Sequence, residues 1–206
     1  DGTITATVPL GVSTGQLTIT GANGLSSNLG ITVTVEALDI TRIHQVNPAN
    51  GTIQSAIDLA QPGDLVLLAP GTYEELVIMW KPVRLQGSGA FSTRINAIQS
   101  PAEKIQGWRN KIEALWNMGE VDILPSQELL FRGDIELALS NEEGAGISIF
   151  GSNSKPAQMF GSNASFVADA TTGDGFKARI DGLTVEGSSQ GGGIFLNGYA
   201  PYVEIS

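Results

Sequence analysis

Residues 52–89, TIQSAIDLAQPGDLVLLAPGTYEELVIMWKPVRLQGSG, decide the predicted fold. The stretch begins with an apolar stripe at helical spacing, which predicts a short amphipathic helix ending before Pro62 and Gly63. The stripe consists of Ile53, Ala56, Ile57 and Ala60. Three short apolar runs follow, LVLLA, ELVIM and VRL, with Pro or Gly between them. A doubly wound protein would place helices between such strands, and a hairpin protein would place two-residue turns there. The stretch has neither pattern.

The apolar runs recur at a near-constant interval. Val66 and Leu85 are 19 positions apart, and so are Leu76 and Ile95. A strand that returns at a fixed interval, with a sharp corner in between, is typical of a solenoid whose turns each contribute several short strands.

A second repeat-like block lies near the other end of the sequence, in RIDGLTVEGSSQGGGIFLNGYAPYVEIS. Here Leu183 and Val185 recur 20 positions later as Val203 and Ile205, with GIFLNG as an intervening strand. Residues 52–89 resemble the capping helix and first coil of pectin-lyase-like right-handed parallel β-helices, and IDGLTVEG, GGGIFLNG and VEIS resemble their internal repeat. The resemblance implies an all-β protein whose residues 41–206 form the N-terminal part of a right-handed, single-stranded parallel β-helix with an N-terminal capping helix.

Composition limits the chemistry that this chain can perform. It has 206 residues, 26 of them glycine, no cysteine, one histidine and a formal net charge of −10. Without cysteine there is no disulfide or thiolate site, and the single histidine, His44, excludes zinc, copper or haem sites built from clustered His or Cys. The acidic balance disfavours nucleic acid as a partner. The sequence has no apolar run of the roughly 20 residues that a membrane span requires.

The first 40 residues form a separate segment. TITATVP, GQLTIT and ITVTVE alternate Thr with aliphatic residues, the period of half-buried strands, and Gly, Ser and Asn separate them. VPLGVSTGQLTITGANGLSSNLGITVTV resembles the closing strands of an IPT/TIG-type immunoglobulin-like module. The alternative is a short ribbon of strands packed on the following domain. Three strands are too few for a sandwich, so we expect the chain to be part of a longer protein.

An insertion of about residues 99–145 interrupts the repeat pattern. In SPAEKIQGWRNKIEALWNMG, Ser100 is a candidate N-cap, Pro101 the first helical residue, Glu103 the partner in a capping box, and Gly119 the stop signal. The predicted helix has one apolar face, formed by Ile105, Trp108, Ile112, Leu115 and Trp116. This helix could line a groove in which Trp108 or Trp116 stacks on sugar rings, or both rings could attach it to the domain.

Smaller motifs are compatible with several roles. Asp174, Asp181 and Glu186 could help to bind calcium, although turn chemistry explains Asp174-Gly175 and Asp181-Gly182 as well. Residues 50–52 and 163–165 are formal N-glycosylation sequons. Arg132, Gly133 and Asp134 spell an integrin-type tripeptide that also occurs by chance. His44 is expected at the surface or in packing.

The resemblance implies either a polysaccharide lyase, hydrolase or epimerase, or a non-catalytic surface protein. The sequence has neither the adjacent aspartates of the hydrolases nor their Arg-Ile-Lys motif, because Asp181 follows Arg179 and Ile180. We therefore expect a non-catalytic scaffold or adhesion module of a large secreted or cell-surface protein, with no catalytic residue and no cofactor apart from the calcium option. The alternative is the N-terminal part of a carbohydrate-active enzyme whose active site lies mostly beyond residue 206.

Two kinds of partner are expected. One is a polysaccharide, contacted by the rings of Trp108, Trp116, Tyr199 and Tyr202. The other is a further protein chain at the edge of the last predicted coil, where Val203 and Ile205 would face inward with nothing stacked on them.

Overall fold

The computed structural model describes residues 5–13, 15–33, 35, 42–127, 139, 143–152, 178–198 and 203–206. Two helices have defined bounds, α1 (Ile53–Leu59) and α2 (Glu103–Asn117), and residues 125–127 are also helical. The strands are β1 (Gly15–Thr20), β2 (Ser26–Val33), β3 (Ile43–Val46), β4 (Leu65–Leu68), β5 (Gly71–Tyr73), β6 (Val77–Met79), β7 (Arg84–Gln86), β8 (Thr93–Asn96), β9 (Ile147–Phe150), β10 (Ala178–Asp181), β11 (Thr184–Glu186), β12 (Ile194–Asn197) and β13 (Val203–Ile205).

The N-terminal strands form a two-stranded antiparallel ribbon. β1 pairs with β2, and the connection turns at Gly24, whose φ of 77° suits glycine. Residues 5–13 contain no strand, so the first of the three predicted strands is absent from those residues. β1 is exposed along its whole length, whereas β2 contacts β10 and buries Thr32. The ribbon therefore lies on the parallel domain that follows it.

Three parallel sheets make up the rest of the described chain. Sheet I has the strand order β13-β10-β7-β4-β3, sheet II the order β11-β8-β5, and sheet III the order β12-β9-β6. β3 and β4 pair with each other in sheet I, and from β4 onward each strand lies in a different sheet from the strand before it. Each of these strands has only three or four residues. The last strand of every sheet thus comes from residues 184–205.

One apolar core lies among the three sheets. Sheet I contributes Val66, Leu85 and Ile180, all at most 2% exposed. Sheets II and III and helix α1 complete it with Tyr73, Ile95, Val77, Met79, Ile147, Ile149, Ile53 and Ile57. Helix α2 adds its own buried stripe of Trp108, Ile112 and Leu115 to the same cluster.

The predicted all-β class and right-handed, single-stranded parallel β-helix are wrong. The part of the chain that the structure describes is mixed, with a 7-residue helix, a 15-residue helix and four separate sheets, and it contains no closed solenoid. In residues 15–33, β1 and β2 form the antiparallel ribbon, and the immunoglobulin-like assignment of this segment stays a prediction.

The constant interval that suggested a solenoid marks only one true strand pair. Val66 does pair with Leu85 in sheet I. Leu76, however, lies outside the strands, and Ile95 pairs with Tyr73 in sheet II. Partners are fixed by backbone hydrogen bonds, and the intervening loops differ in length, so equal spacing of apolar residues does not identify them.

The 20-residue interval in the second repeat-like block also does not identify paired residues. Val203 pairs with Ala178, and Ile205 pairs with Ile180. The predicted partners, residues 183 and 185, lie in the next segment of chain, and residue 185 pairs in sheet II instead. Alternating aliphatic residues occur in both strands, and the sequence pattern alone does not separate the two registers.

The helix predictions have mixed outcomes. Helix α1 is confirmed, with Thr52 as N-cap and a capping box that Ser55 completes. The capping box predicted at Ser100 is wrong: α2 begins after Ala102, which makes no side-chain cap hydrogen bond. Its predicted end is confirmed, because Gly119 adopts φ 69° beyond the C-cap, donating to the Trp116 carbonyl at 2.9 Å.

Candidate functional site

The predicted sugar-contacting residues do not form one surface among the described residues. Trp108 is 3% exposed, and its ring meets that of Phe150 edge-on at a centroid distance of 6.4 Å. Trp116 is half-buried and packs against the core. The ring face of Trp108 is therefore covered by protein in this structure. Tyr199 and Tyr202 lie outside the described residues.

An open groove of about 640 Å³, lined by both polar and apolar groups, lies along the first half of α2. Its polar lining comprises Gln99, Ser100, Glu103, Gln106, Arg109 and Glu143. Arg109 Nε donates to Glu143 Oε1 at 2.6 Å, which ties the helix to the chain segment before β9. A groove of this size with convergent charged and amide groups could hold a small polar ligand.

A cluster around Asp58 joins the two helices. The Asp58 carboxylate accepts hydrogen bonds from Trp80 Nε1 at 2.8 Å and from Lys111 Nζ at 2.6 Å. Lys81, 3% exposed, places its Nζ 4.4 Å from the centre of the Trp80 ring. The same ammonium donates to the Asp58 and Ala60 carbonyls, which are otherwise unpaired at the C-terminus of α1.

The buried position of Lys81 affects the pKa of its ammonium group. Burial lowers the pKa of the Lys81 ammonium, and the Asp58 carboxylate opposes this shift only in part. A lysine with a lowered pKa is often a nucleophile, but here two carbonyls and an aromatic face surround it. The arrangement therefore serves as a helix C-cap.

His44 lies in a second cluster, centred on Asp64. Asp64 Oδ1 accepts from Arg42 Nε at 2.7 Å, and Oδ2 lies 2.9 Å from His44 Nε2 and accepts from the Gln61 amide at 2.8 Å. Burial favours the neutral acid, but the hydrogen bonds from Gln61, His44 and Arg42 outweigh it and lower the pKa of Asp64. Arg42 also donates to the Pro62 carbonyl at 2.7 Å. Asp64 thus holds the turn after α1.

Glu75 occupies the opposite end of α1. Its carboxylate oxygens accept from the Ile53 amide at 2.9 Å and the Gln54 amide at 3.2 Å, the free N–H groups of the first helical turn. Burial raises the pKa of Glu75, and these two hydrogen bonds and the charge of Lys104 offset the rise only partly. Three charged residues, Glu75, Lys81 and Asp64, therefore serve to hold α1 in place.

The calcium candidates are not assembled in the described chain. Asp181 is 1% exposed, on sheet I, with its Oδ2 3.4 Å from Arg179 Nε. Glu186 is exposed on sheet II and pairs with Arg94. Asp174 falls outside the described residues. Within the residues that are described, no group of three acidic or histidine side chains could hold a metal ion.

The other sequence motifs are only partly visible. Asn50 is exposed in the loop before α1, and Thr52 of the same sequon is engaged as the N-cap of that helix. The sequon at residues 163–165 and the Arg-Gly-Asp tripeptide at residues 132–134 lie outside the described residues. No described helix is both long and apolar enough for a membrane span.

The three parallel sheets end differently on their two sides. We call the side covered by α1 the closed end; there the Gln54 side-chain amide donates to the Ile78 carbonyl at 3.1 Å and accepts from the Ile78 amide at 2.8 Å. The Gln54 side chain thus forms the hydrogen bonds at the edge of β6 that a neighbouring strand would otherwise form. We call the side formed by β11, β12 and β13 the open end.

Inward-facing residues become exposed at the open end. Ile149 of β9 is fully buried, but its partner Leu196 on β12 is 45% exposed. Ile180 is 2% exposed, but its partner Ile205 on β13 is 55% exposed. Leu196 and Ile205 thus continue the rows of core side chains but are exposed to solvent. They lie on strands whose outer edges no described strand covers.

Sequence reasoning missed the clusters around Asp58, Asp64 and Glu75. Most of the paired side chains are 20 or more residues apart in the chain, and Lys111 is 53 residues from Asp58. They carry no motif. The only signal was the turn sequence Pro62-Gly63-Asp64, in which an acidic residue follows a helix stop.

Comparison with protein-family models, curated proteins and solved structures finds no match to this chain.

Proposed function

We propose that this chain is a non-catalytic scaffold or binding module of a large secreted or cell-surface protein. The observation that carries the proposal is that the carboxylates of Asp58, Asp64 and Glu75 are already bound by groups of the fold. The extracellular location rests on the sequence resemblance alone.

The described titratable clusters support a non-catalytic role. Asp58, Asp64 and Glu75 each hold helix ends or turns through two or more hydrogen bonds. A general acid or base needs a free position for a substrate proton, and these carboxylates are already engaged by the fold. His44 likewise faces Asp64 and lies in the same structural cluster.

The alternative, the N-terminal part of a carbohydrate-active enzyme, is favoured by one feature. The open groove along α2 brings Arg109 and Glu143 together, and its volume of about 640 Å³ has room for one or two sugar rings. The ion pair between them, at 2.6 Å, would have to open before either group could act on a substrate.

A turnover assay separates the two functions. The purified chain is incubated with polygalacturonate, alginate and neutral glycans, with and without calcium, and the products are followed by ultraviolet absorbance and chromatography. We expect no product and, at most, binding in the millimolar range, roughly −4 kcal/mol. Unsaturated oligosaccharides that Arg109→Ala abolishes, and that the surface variant Arg94→Ala still releases, would establish the enzyme instead.

A further inference from the structure

The sequence contains three Asn-Gly pairs, at residues 23–24, 50–51 and 197–198. In such a pair the main-chain nitrogen of the glycine can attack the side-chain amide of the asparagine, because glycine has no Cβ to crowd the approach. The reaction needs an asparagine side chain that is free to rotate and a glycine N–H that is not held in a hydrogen bond. The contacts of each pair in the folded chain therefore decide which of the three reacts.

The pair of Asn50 and Gly51 meets both requirements. Both residues are exposed, in the loop between β3 and α1. Among the residues that the structure describes, neither the Asn50 side chain nor the Gly51 N–H makes a hydrogen bond. A Cβ placed on Gly51 would have no described heavy atom within 4 Å, so the space around the attacking nitrogen is open.

Hydrogen bonds hold the exposed pair of Asn23 and Gly24. Asn23 Oδ1 accepts from the Leu25 amide at 3.1 Å, which fixes this side chain in the turn between β1 and β2. The Gly24 amide donates to the Gly21 carbonyl at 2.9 Å. Both hydrogen bonds must break before the Gly24 nitrogen can attack, so the turn of the ribbon protects this pair.

Burial protects the pair of Asn197 and Gly198. Asn197 is 0% exposed at the end of β12, and its Nδ2 donates to Gln127 Oε1 at 3.1 Å. The main chain of Gly198 is crowded as well, because a Cβ placed on it would lie 2.5 Å from Leu124 Cδ2. Rotation of the Asn197 side chain therefore requires local unfolding at this end of β12.

We propose that Asn50 is a site of spontaneous modification, at which the side-chain amide is lost and an aspartate or isoaspartate is formed. The Gly51 nitrogen gives its proton to a solvent base and bonds to Asn50 Cγ, and the Cγ–Nδ2 bond breaks as ammonia leaves. Water then opens the resulting succinimide ring. Cleavage between Cγ and the Gly51 nitrogen gives aspartate, and cleavage between the main-chain carbonyl carbon and that nitrogen gives isoaspartate. One water is consumed and one ammonia is released.

The modified residue lies next to the helix that covers the core. Thr52, the N-cap of α1, follows two residues later, and its hydroxyl accepts from the Ser55 amide at 3.1 Å. Isoaspartate adds one carbon to the main chain just before this cap, whereas aspartate leaves the main chain unchanged. We therefore expect the Ser55 amide to exchange with solvent faster in the isoaspartate form than in the aspartate form.

The test compares the three pairs in one sample. The whole chain is produced in a bacterial host, so that the sequon at residues 50–52 carries no glycan, and is incubated in mildly alkaline buffer, folded or in concentrated urea. Mass spectrometry of proteolytic peptides measures conversion at each asparagine. In urea we expect similar rates at the three pairs. In the folded chain Asn50 should keep its rate, whereas Asn23 and Asn197 should react at least about tenfold more slowly.

Asn50→Gln is the matched control, because glutamine keeps the amide but would have to close a larger and slower-forming ring. This variant should show no conversion at residue 50 and wild-type rates at Asn23 and Asn197. A folded-state rate at Asn50 as low as those of the other two pairs, or wild-type conversion at residue 50 in Asn50→Gln, would overturn the proposal. Equal exchange of the Ser55 amide in the two separated products would overturn the effect on the helix cap.

Discussion

The side-chain amide of Gln54 pairs with both main-chain groups of Ile78, at 2.8 and 3.1 Å, and so occupies the edge of β6 in the manner of a neighbouring strand. The helix thereby closes one end of the parallel sheets both with apolar side chains and with hydrogen bonds. At the opposite end, the edge of β13 has no such cover among the described residues.

Gln54→Ala should destabilise the fold by about 1–3 kcal/mol, because it leaves the Ile78 amide and carbonyl unpaired at a partly buried edge. Urea unfolding followed by circular dichroism measures the change. Gln106→Ala is the control, since Gln106 is exposed on α2 and bonds Asn110 on the same helix. Equal stability of the two variants would show that Gln54 does not protect the edge.

Ile57→Asp should unfold the chain or lower its stability by at least about 4 kcal/mol, because it places a charge at a fully buried position of the core. Leu59→Asp, on the same helix at a residue that is 74% exposed, should change stability by about 0.5 kcal/mol or less. Thermal denaturation compares them. A wild-type midpoint for Ile57→Asp would refute the assignment of α1 as the cover of the core.

Asp64 should make stability depend on acid pH. Its pKa is lowered in the folded chain, so its ionised form stabilises the fold above the usual aspartate pKa of about 4. This contribution is lost as the pH falls through the lowered value. Urea unfolding from pH 5 to pH 2 should therefore show a steeper loss for wild type than for Asp64→Asn, and parallel curves would argue against the cluster.

Glu75 should affect the pH dependence of stability in the opposite direction to Asp64. Its pKa is raised in the folded chain, so the folded state holds more protons than the unfolded state at pH values between the two pKa values. The stability contribution of Glu75 then falls as the pH rises through this window. Relative to wild type, Glu75→Gln should gain stability between pH 4 and pH 7, and a constant difference across that range would contradict the burial of this carboxylate.

Local patterns in the sequence predicted α1 well. The apolar stripe of Ile53 and Ile57 is buried, and the stop at Pro62-Gly63 lies just beyond the end of the helix. Both features depend on residues within one or two helical turns of each other in the sequence, so local sequence patterns are enough to predict them. The end of α2 at Gly119 was predictable for the same reason.

Long-range features were not predictable in the same way. The β-helix prediction depended on strand register, which equal apolar spacing does not determine: Ile95 pairs with Tyr73 and not with a residue in the run that includes Leu76. The cluster of Arg42, His44 and Asp64 forms because β3 lies beside β4, and its members share no motif.

Hydrogen exchange tests the central claim, that helix α1 closes one end of the parallel sheets through Gln54. The Ile78 amide, bonded to Gln54, should exchange slowly, whereas the Leu196 and Ile205 amides, which face the open edges, should exchange at rates close to those of an unstructured chain. Rapid exchange of the Ile78 amide in the folded chain would contradict the claim, because it would mean that Gln54 does not cover the edge of β6.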